Sequence, residues 1–369
     1  MKIISKRVLA FVCLLALFII IYVAIISAQN TTSKNDDRDS AKHIATVATK
    51  IEASNNDQTS SLDIQVAPLT EFADNLPDQL QNSFALISDN RPTKKPKKVL
   101  VYSLDNIKNL FDSINYNSKS WQQGNREVPR LTFETVTEKW QQNAHNIPVD
   151  EKKMIFFRLM APLILLSNEK MLLERRYIEI SANDDDTVLK LAQKYKVIDS
   201  TVLDSKTTLT DEQKATLLNR VDIVPPSLVL AQAAEESGWA TSRFTVEGNA
   251  FFGQWDFSGN GMMPKQQRTE LGNYGIARFD SPLESVIGYL ININTHDAYQ
   301  ELRNLRAKFR QNNQPITGLE LAGTLDKYSE RGQAYIDGLR NMISYNQLEQ
   351  VDEAYLSDDD PIHLMTGNP

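Results

Sequence analysis

Side chains that form disulfides or bind metals are scarce in this 369-residue chain. It has a single cysteine, Cys13, so no disulfide can form within the chain and a cysteine-rich metal site is excluded. The histidines are scattered, with no pair at metal-ligand spacing, so we expect no metal. The formal net charge of −7 leaves no basic surplus, and nucleic acid is therefore not an expected partner. The histidines are His43, His145, His296 and His363.

One long uncharged segment lies near the N-terminus. Residues 8–28 are mostly apolar, and Lys2, Lys6 and Arg7 precede them. This length can span a bilayer as a helix, and the basic flank predicts a cytoplasmic N-terminus with the rest of the chain outside. A cleaved signal peptide is the alternative, but Ile26 stands where a small residue is wanted before the cleavage site. We predict an exported protein and favour an anchor at its N-terminus over a signal peptide.

Composition and periodicity divide the rest of the chain into four parts. Residues 29–98 are polar, with a proline-broken basic end, and are predicted to be a disordered linker. Residues 99–146 contain helix-like stretches to which no function is assigned. Residues 147–346 follow a helical pattern, which glycines and aromatic residues interrupt over 251–279, where we predict a small β-hairpin lobe. From residue 347 onwards the chain is predicted to be a mobile acidic tail. The predicted fold class is mainly α, of the α+β type.

One segment combines an apolar helix with two carboxylates at its end. Two prolines suit the first helical positions, and residues 228–234 contain one polar side chain, Gln232, which predicts a helix buried nearly all round. Glu235 and Glu236 follow, just before Gly238, the predicted C-cap residue. A carboxyl group at the buried end of a helix has a raised pKa, which suits the general acid of a glycosidase. Neighbouring helical residues point about 100° apart, and periodicity does not choose between the two glutamates.

Further motifs accompany this helix. They are Val224-Pro225-Pro226, Glu236-Ser237-Gly238-Trp239, Thr241-Ser242-Arg243-Phe244, Val246-Glu247-Gly248-Asn249, Phe251-Phe252-Gly253-Gln254-Trp255, Asn294-Thr295-His296, Ala298-Tyr299, and Tyr328-Ser329-Glu330-Arg331-Gly332 with Tyr335. Together they resemble glycoside hydrolase family 73, the glucosaminidases, and within it the Bax-like branch, over about residues 149–345. The resemblance implies a lysozyme-like, mainly α domain with a small β-hairpin lobe. The family's essential glutamate directly precedes Ser-Gly-Trp, which implies Glu236.

The resemblance also implies a second group opposite Glu236, in the β lobe. Acidic candidates there are Asp256, Glu270 and Asp280. Relatives carry Thr-Glu before the last strand of the lobe, which matches Thr269-Glu270, so Glu270 is the preferred partner. Either a second carboxylate activates water or the substrate's own N-acetyl group acts as the nucleophile, and the sequence leaves both mechanisms open.

Candidate substrate contacts are aromatic side chains, which offer sugar rings a stacking face, and amides, which can bond acetamido groups. Tyr328 is the preferred contact of the two tyrosines in the last motif, and Tyr335 is expected to be structural. His296 is expected to pack or to cap a helix. Ala240 stands where many relatives have glycine. The candidates are Gln232, Asn249, Phe252, Gln254, Trp255, Tyr328 and Tyr335.

These observations lead to the hypothesis of an endo-β-N-acetylglucosaminidase that hydrolyses β-1,4 bonds of peptidoglycan without a cofactor. Its expected partners are peptidoglycan glycan strands and, through residues 1–28, the inner membrane. The expected location is the cell envelope, anchored and facing the periplasm, or free in the periplasm if the segment is cleaved. A lytic transglycosylase on the same fold is one alternative, and it would leave a 1,6-anhydromuramyl end. A non-catalytic glycan-binding or scaffold protein is the other.

Overall fold

The computed structural model describes residues 95–199, 207–265 and 274–367. The expectations for residues 1–28, for nearly all of the linker 29–98 and for Glu270 therefore fall outside the described residues. The described part is mainly helical with short strands, as the sequence predicts. Within these three ranges, no helix is both long enough and apolar enough to cross a membrane.

The helices follow one another along nearly the whole described chain. Short 3-10 helices at Ala144–Asn146, Asp297–Tyr299 and Leu348–Val351 join some of them. In chain order the α-helices are α1 (Leu104–Ser113), α2 (Ser118–Gln122), α3 (Glu138–Asn143), α4 (Val149–Ile180), α5 (Asp186–Lys194), α6 (Asp211–Arg220), α7 (Pro226–Ser237), α8 (Arg243–Gly248), α9 (Pro282–Thr295), α10 (Gln300–Gln311), α11 (Gly318–Ala322) and α12 (Gln333–Tyr345).

The longest of these helices, α4, supplies the centre of the core. It starts directly after Pro148, and Asp150 and Glu151 in its first turn interact favourably with the helix dipole. Helices α7 and α9 pack against it. This packing buries the middle of α4 nearly all round, because every residue from Met160 to Leu165 is buried. The buried apolar side chains on either side of this stretch include Ile155, Phe156 and Met171.

Three small sheets complete the fold. Strand β7 lies between β1 and β3, and both pairings are parallel, so that Ile362 lies opposite Lys97 on one side and Leu131 on the other. Strands β2 and β6 form a second parallel pair, and β4 and β5 form the antiparallel hairpin of the predicted β lobe. The strands are β1 (Lys97–Val101), β2 (Glu127–Val128), β3 (Leu131–Phe133), β4 (Trp255–Asp256), β5 (Gly275–Ile276), β6 (Tyr355–Leu356) and β7 (Ile362–Thr366).

The prediction of a mobile tail after residue 347 is wrong for the described residues. Strand β7 is the middle strand of its sheet, and Leu348, Leu356 and Leu364 are buried. The unassigned segment 99–146 supplies most of the strands that pair with this C-terminal part. These pairings could not be predicted from the sequence, because the strands are short and their partners lie far away along the chain. The two end segments and the helical region therefore share one core.

The C-terminal segment also holds the start of helix α7. The Asp352 carboxylate accepts hydrogen bonds from the Ser227 backbone N–H (2.8 Å), the Ser227 hydroxyl (2.7 Å) and the Gly318 backbone N–H (3.1 Å). Backbone N–H groups in the first turn of a helix lack intrahelical partners, so Asp352 satisfies one that α7 itself leaves open. The starts of α7 and α11 are thereby joined through one carboxylate.

Gly318→Ala is expected to lower the free energy of unfolding by about 1–3 kcal/mol, the usual cost of inserting a methyl group into a packed interior. A Cβ atom at Gly318 would lie 2.1 Å from the Ser227 hydroxyl oxygen and 2.7 Å from the Leu228 backbone nitrogen. Since one of these neighbours is backbone, the two helix starts must move apart. Denaturant unfolding monitored by circular dichroism measures the change.

Gly338→Ala is the matched control for this substitution. Gly338 lies inside α12, and a Cβ atom there would meet nothing within 4 Å. The alanine is expected to raise the free energy of unfolding by about 0.4–1 kcal/mol, because it restricts the unfolded chain. Equal stabilities for the two variants would contradict the close approach of α7 and α11.

Candidate active site

Helix α7 forms as its sequence predicts, and it delivers two carboxylates to one place. Pro226 is its first residue, and every side chain from Leu228 to Ala234 is buried. Gly238 ends the helix in the left-handed conformation with φ 56°, which glycine adopts without steric cost. Glu235 and Glu236 lie in the last turn, at the point where the helix reaches solvent.

The chain stays left-handed for two residues after Gly238. Trp239 has φ 61° and Ala240 has φ 63°, values that cost most side chains about 1–2 kcal/mol each. Packing holds this turn, because the Trp239 ring lies edge-on to Phe156 and Phe157 with centroids 5.5 and 5.3 Å away. The backbone geometry also explains why glycine suits the position of Ala240 in many relatives.

The Glu236 carboxyl group meets a tyrosine hydroxyl. The Tyr335 hydroxyl donates a hydrogen bond of 2.8 Å to Glu236 Oε1. Burial of the carboxyl group raises the pKa of Glu236, the Tyr335 hydrogen bond lowers it, the adjacent Glu235 raises it and Arg331 lowers it, with a net rise above the ordinary value. The residue as a whole is exposed, so solvent reaches it although its carboxyl group is partly buried. A raised pKa keeps a larger fraction of Glu236 protonated near neutral pH.

Glu235 has a different partner. Its carboxylate accepts a hydrogen bond of 2.8 Å from the Arg331 guanidinium, in an ion pair that is open to solvent on both sides. The same guanidinium lies 5.0 Å from the centre of the Tyr335 ring. The two glutamates are therefore distinguished by their surroundings, since Glu235 pairs with a cation and Glu236 bonds to a tyrosine hydroxyl.

The two tyrosines of the last motif stack on each other, and Tyr335 contacts Glu236. Tyr335, expected to be structural, is 1% exposed and places its hydroxyl on Glu236. Tyr328, the preferred substrate contact, stacks on the Tyr335 ring with centroids 5.5 Å apart and an interplanar angle of 6°. Its hydroxyl donates to the Phe252 carbonyl at 3.4 Å. Tyr328 is half-buried, so part of it faces solvent, and its substrate contact stays a prediction.

Gln232 lies one turn before Glu236 and is fully buried. Its amide nitrogen donates to the Tyr335 hydroxyl at 3.1 Å, and its amide oxygen accepts a hydrogen bond from the Tyr289 hydroxyl. Both ends of the amide are thus used within the protein, which leaves it no free atom for substrate. Tyr289, on α9, belongs to none of the motifs, although its position five residues before the start of the Asn-Thr-His motif is a weak signal.

The remaining predicted contacts lie on both sides of the start of the β lobe. Asn249 accepts from the Thr135 hydroxyl at 3.0 Å and donates to the Phe279 carbonyl at 3.1 Å, so its amide holds the loop. Phe252 is buried and stacks on Tyr289 at 4.1 Å. These two side chains are packed inside the protein, and their roles as substrate contacts stay predictions.

Trp255 and Gln254 differ in their surroundings from Asn249 and Phe252, whose side chains are packed inside the protein. The Trp255 side chain is 52% exposed, and one of its faces stacks on Tyr274 with centroids 5.0 Å apart. A fixed, exposed indole is a suitable platform for a sugar ring. The Gln254 amide oxygen is buried and has no hydrogen-bond partner among the described residues. Because this oxygen has almost no exposed surface, its contact with a substrate stays a prediction.

Of the acidic candidates for the second partner, Asp256 is engaged within its own hairpin. Its carboxylate accepts hydrogen bonds from the Ser258 backbone N–H (2.8 Å) and hydroxyl (2.9 Å). These bonds lower the pKa of Asp256. The preferred candidate, Glu270, lies outside the described residues. Within the three described ranges no group of three or more metal-ligating side chains occurs.

The expectation that His296 packs or caps a helix is confirmed. The His296 ring nitrogen Nδ1 accepts from the Ala298 backbone N–H at 3.1 Å, so His296 caps a short helix. Arg243 pairs with Glu247 at 2.9 Å. Arg331 contacts both Glu235 and the Tyr335 ring, a role that was not predicted from the sequence. Its place in the Tyr-Ser-Glu-Arg-Gly motif was the available signal.

A cavity of about 540 Å³ lies away from these carboxylates. Its walls come from α1, α3, α4 and the end of β7, and they include Ile107, Phe133, Trp140, Leu159 and Leu364. Ala240 and Phe251 contribute to its wall, whereas Glu235 and Glu236 do not. The candidate active site is therefore the open end of α7 and not this apolar cavity.

The site combines a buried helix that ends in a carboxyl group with a tyrosine hydroxyl bonded to that group, an arrangement that suits a glycosidase. The family described as mannosyl-glycoprotein endo-beta-N-acetylglucosaminidase, the glucosaminidase family, matches residues 212–348, which include α7 and Tyr335.

A curated relative gives the more particular assignment. Protein bax of Escherichia coli (strain K12) is 32% identical to this chain over 207 residues, which are 53% of the chain and 70% of the relative. The chain belongs to the Bax-like family of proteins with a glucosaminidase domain. No solved structure matches it significantly.

Proposed function

We propose that this protein is an endo-β-N-acetylglucosaminidase that hydrolyses β-1,4 bonds in the glycan strands of peptidoglycan, with Glu236 as the general acid. The observation that carries the proposal is the environment of Glu236. Its carboxyl group lies at the solvent-facing end of a buried helix, with a raised pKa and a tyrosine hydroxyl on one oxygen. Family membership supports the glycosidase class. The β-1,4 bond as the cleavage site and peptidoglycan as the substrate are what we propose beyond that class.

In the proposed reaction, protonated Glu236 gives its proton to the leaving glycosidic oxygen as the bond from the sugar carbon to that oxygen breaks. The carbon gains oxocarbenium character, and water or the substrate's acetamido oxygen completes the displacement. Glu236 becomes a carboxylate in this step. The Tyr335 hydrogen bond strengthens as that charge develops, which stabilises the transition state more than the ground state.

The surroundings of Glu236 fit a polymeric sugar substrate. The acid lies at an open surface, so a strand can bind without having to enter a closed cavity. Trp255 offers an exposed aromatic face, and the Gln254 amide oxygen offers an unused acceptor. We propose that these two side chains contact the sugar ring and its acetamido N–H.

The proposal includes export to the cell envelope, facing the periplasm. It rests on the uncharged segment 8–28 and the basic residues before it. Substrate and enzyme would then share one compartment, with the segment as an anchor in the inner membrane.

Product analysis tests the function. Purified peptidoglycan is digested with the full-length protein, and the fragments are identified by mass spectrometry. Hydrolysis by the proposed enzyme leaves a reducing N-acetylglucosamine end. A 1,6-anhydromuramyl end would identify a lytic transglycosylase instead, and glycan binding without any new end would identify a non-catalytic protein.

Glu270→Gln is expected to lower turnover on peptidoglycan substantially, but less than removal of the acid at Glu236 does. A carboxylate that activates water can be replaced in part by solvent or by the substrate's acetamido group. Initial rates of glycan release measure the effect. Azide should rescue Glu270→Ala, because a small anion can occupy the vacated position, whereas wild-type turnover in Glu270→Gln would exclude Glu270 as the second group.

A further inference from the structure

A chain of hydrogen bonds leads from the core to Glu236. The Tyr289 hydroxyl on α9 donates to the amide oxygen of Gln232 on α7. The Gln232 amide nitrogen donates to the Tyr335 hydroxyl at 3.1 Å, and that hydroxyl donates to Glu236 Oε1 at 2.8 Å. Tyr289, Gln232 and Tyr335 are all buried, so the first two links are shielded from water, whereas the third reaches Glu236 at the exposed end of α7.

The direction of this chain follows from the chemistry of its members. A glutamine amide has one end that accepts and one end that donates, and each tyrosine hydroxyl has a single hydrogen. Because Tyr289 gives its hydrogen to the Gln232 oxygen, the Gln232 NH₂ group faces Tyr335. Tyr335 already accepts a hydrogen bond from that group, so its own hydrogen points at Glu236 Oε1.

We propose that Tyr289 and Gln232 are positioning residues that determine which oxygen of Glu236 carries the acid proton. With Oε1 occupied as an acceptor, the proton resides on Oε2, the oxygen turned away from Tyr335. This inference rests on the proposed function of Glu236 as the general acid. In the reaction the Oε2–H bond breaks and its proton goes to the leaving oxygen, which also keeps the electron pair of the broken glycosidic bond. The Glu236 carboxylate that remains is stabilised through Oε1.

Other groups near Glu236 act differently. Glu235 and Arg331 affect its charge from the solvent side, where they pair with each other. Tyr328 stacks on Tyr335, and its hydroxyl donates a hydrogen bond to the Phe252 carbonyl. The Tyr299 hydroxyl bonds to Asn292. Among the described residues, Tyr335 is the group whose donated hydrogen bond lowers the pKa of the Glu236 carboxyl.

The test compares Tyr289→Phe, Tyr335→Phe and the double variant in the full-length protein. Each single change removes one hydroxyl and keeps the ring. Tyr335→Phe is expected to raise the pKa of Glu236 by about 1–2 units, the range expected for a hydrogen bond to a charged group. Tyr289→Phe frees the Gln232 amide to flip and to accept the Tyr335 hydrogen, so a smaller rise is expected. The double variant should match Tyr335→Phe alone, because Tyr289 acts through Tyr335.

Two measurements report the pKa of Glu236 in each variant. The pH profile of kcat/KM should lose activity at a higher pH in each variant, since the protonated acid persists to higher pH. Titration of ¹³C-labelled glutamate carboxyl groups by NMR gives the pKa of Glu236 without any turnover. If the wild-type protein cleaved no glycan, the proposed function would fail, while the NMR titration would still decide on the hydrogen-bond chain.

Tyr299→Phe is the matched control, because this tyrosine belongs to the same aromatic cluster but not to the chain. It is expected to leave the pKa of Glu236 unchanged. Gln232→Met, which has no amide oxygen to accept the Tyr335 hydrogen, removes the flip and should raise the pKa of Glu236 less than Tyr289→Phe does. An unchanged Glu236 pKa in Tyr289→Phe, or a double variant whose shift is the sum of the two single shifts, would overturn the proposal.

Discussion

Glu236→Gln is expected to abolish cleavage of peptidoglycan while the fold and the binding of glycan persist. The amide has the same shape as the carboxyl group but has no acid proton to give. General acid catalysis is commonly worth about 10²–10⁴-fold in rate, so the residual activity should be barely measurable. The variant should still accept the Tyr335 hydrogen bond through its amide oxygen, which keeps the local structure. Initial rates of release of reducing ends measure the loss, and a glycan pull-down measures binding.

Glu235→Gln is the control, because it changes the neighbouring carboxylate by the same single atom. That carboxylate pairs with Arg331 at the surface, and exposed ion pairs contribute little to stability. This variant should keep most of the wild-type rate. If it is inactive while Glu236→Gln cleaves normally, the acid has been assigned to the wrong residue.

Removal of residues 347–369 is expected to prevent folding of the described domain. The truncation deletes the middle strand β7, and the chain loses the buried side chains of Leu348, Leu356 and Leu364. Burial of such a side chain stabilises a protein by about 1.5–3 kcal/mol. Three of them approach the net stability of a typical domain, about 5–15 kcal/mol. Asp352, which holds the start of α7, is lost as well. Thermal unfolding followed by circular dichroism should show no cooperative transition.

A chain that ends at Gly367 is the control for this truncation. It keeps β7 and Asp352 and should melt as the full-length protein does. If the chain that ends at residue 346 melts cooperatively and cleaves glycan, then the C-terminal segment is dispensable, as its acidic composition suggested.

The sequence by itself determined helix α7. Its prolines, its apolar run and Gly238 define where the helix starts, how deeply it is buried and where it ends. This is possible because helix hydrogen bonds and caps join residues within about four positions of one another. The β lobe was predicted for the same reason, since turns have local sequence signals. Caps are local as well: the Ser281 and Thr317 side chains each accept a hydrogen bond from a backbone N–H three residues further on.

The tertiary structure alone decided how the glutamates differ and where the C-terminal segment belongs. The hydrogen bond from Tyr335 to Glu236 joins residues 99 positions apart, and the one from Gln232 to Tyr335 joins residues 103 positions apart. Strand β7 pairs with strands near the beginning of the described chain. Its five residues are too few for an alternation of apolar and polar side chains to predict a strand. Such contacts form because burial of apolar surface brings distant segments together, and no local pattern of residues records which segments will meet.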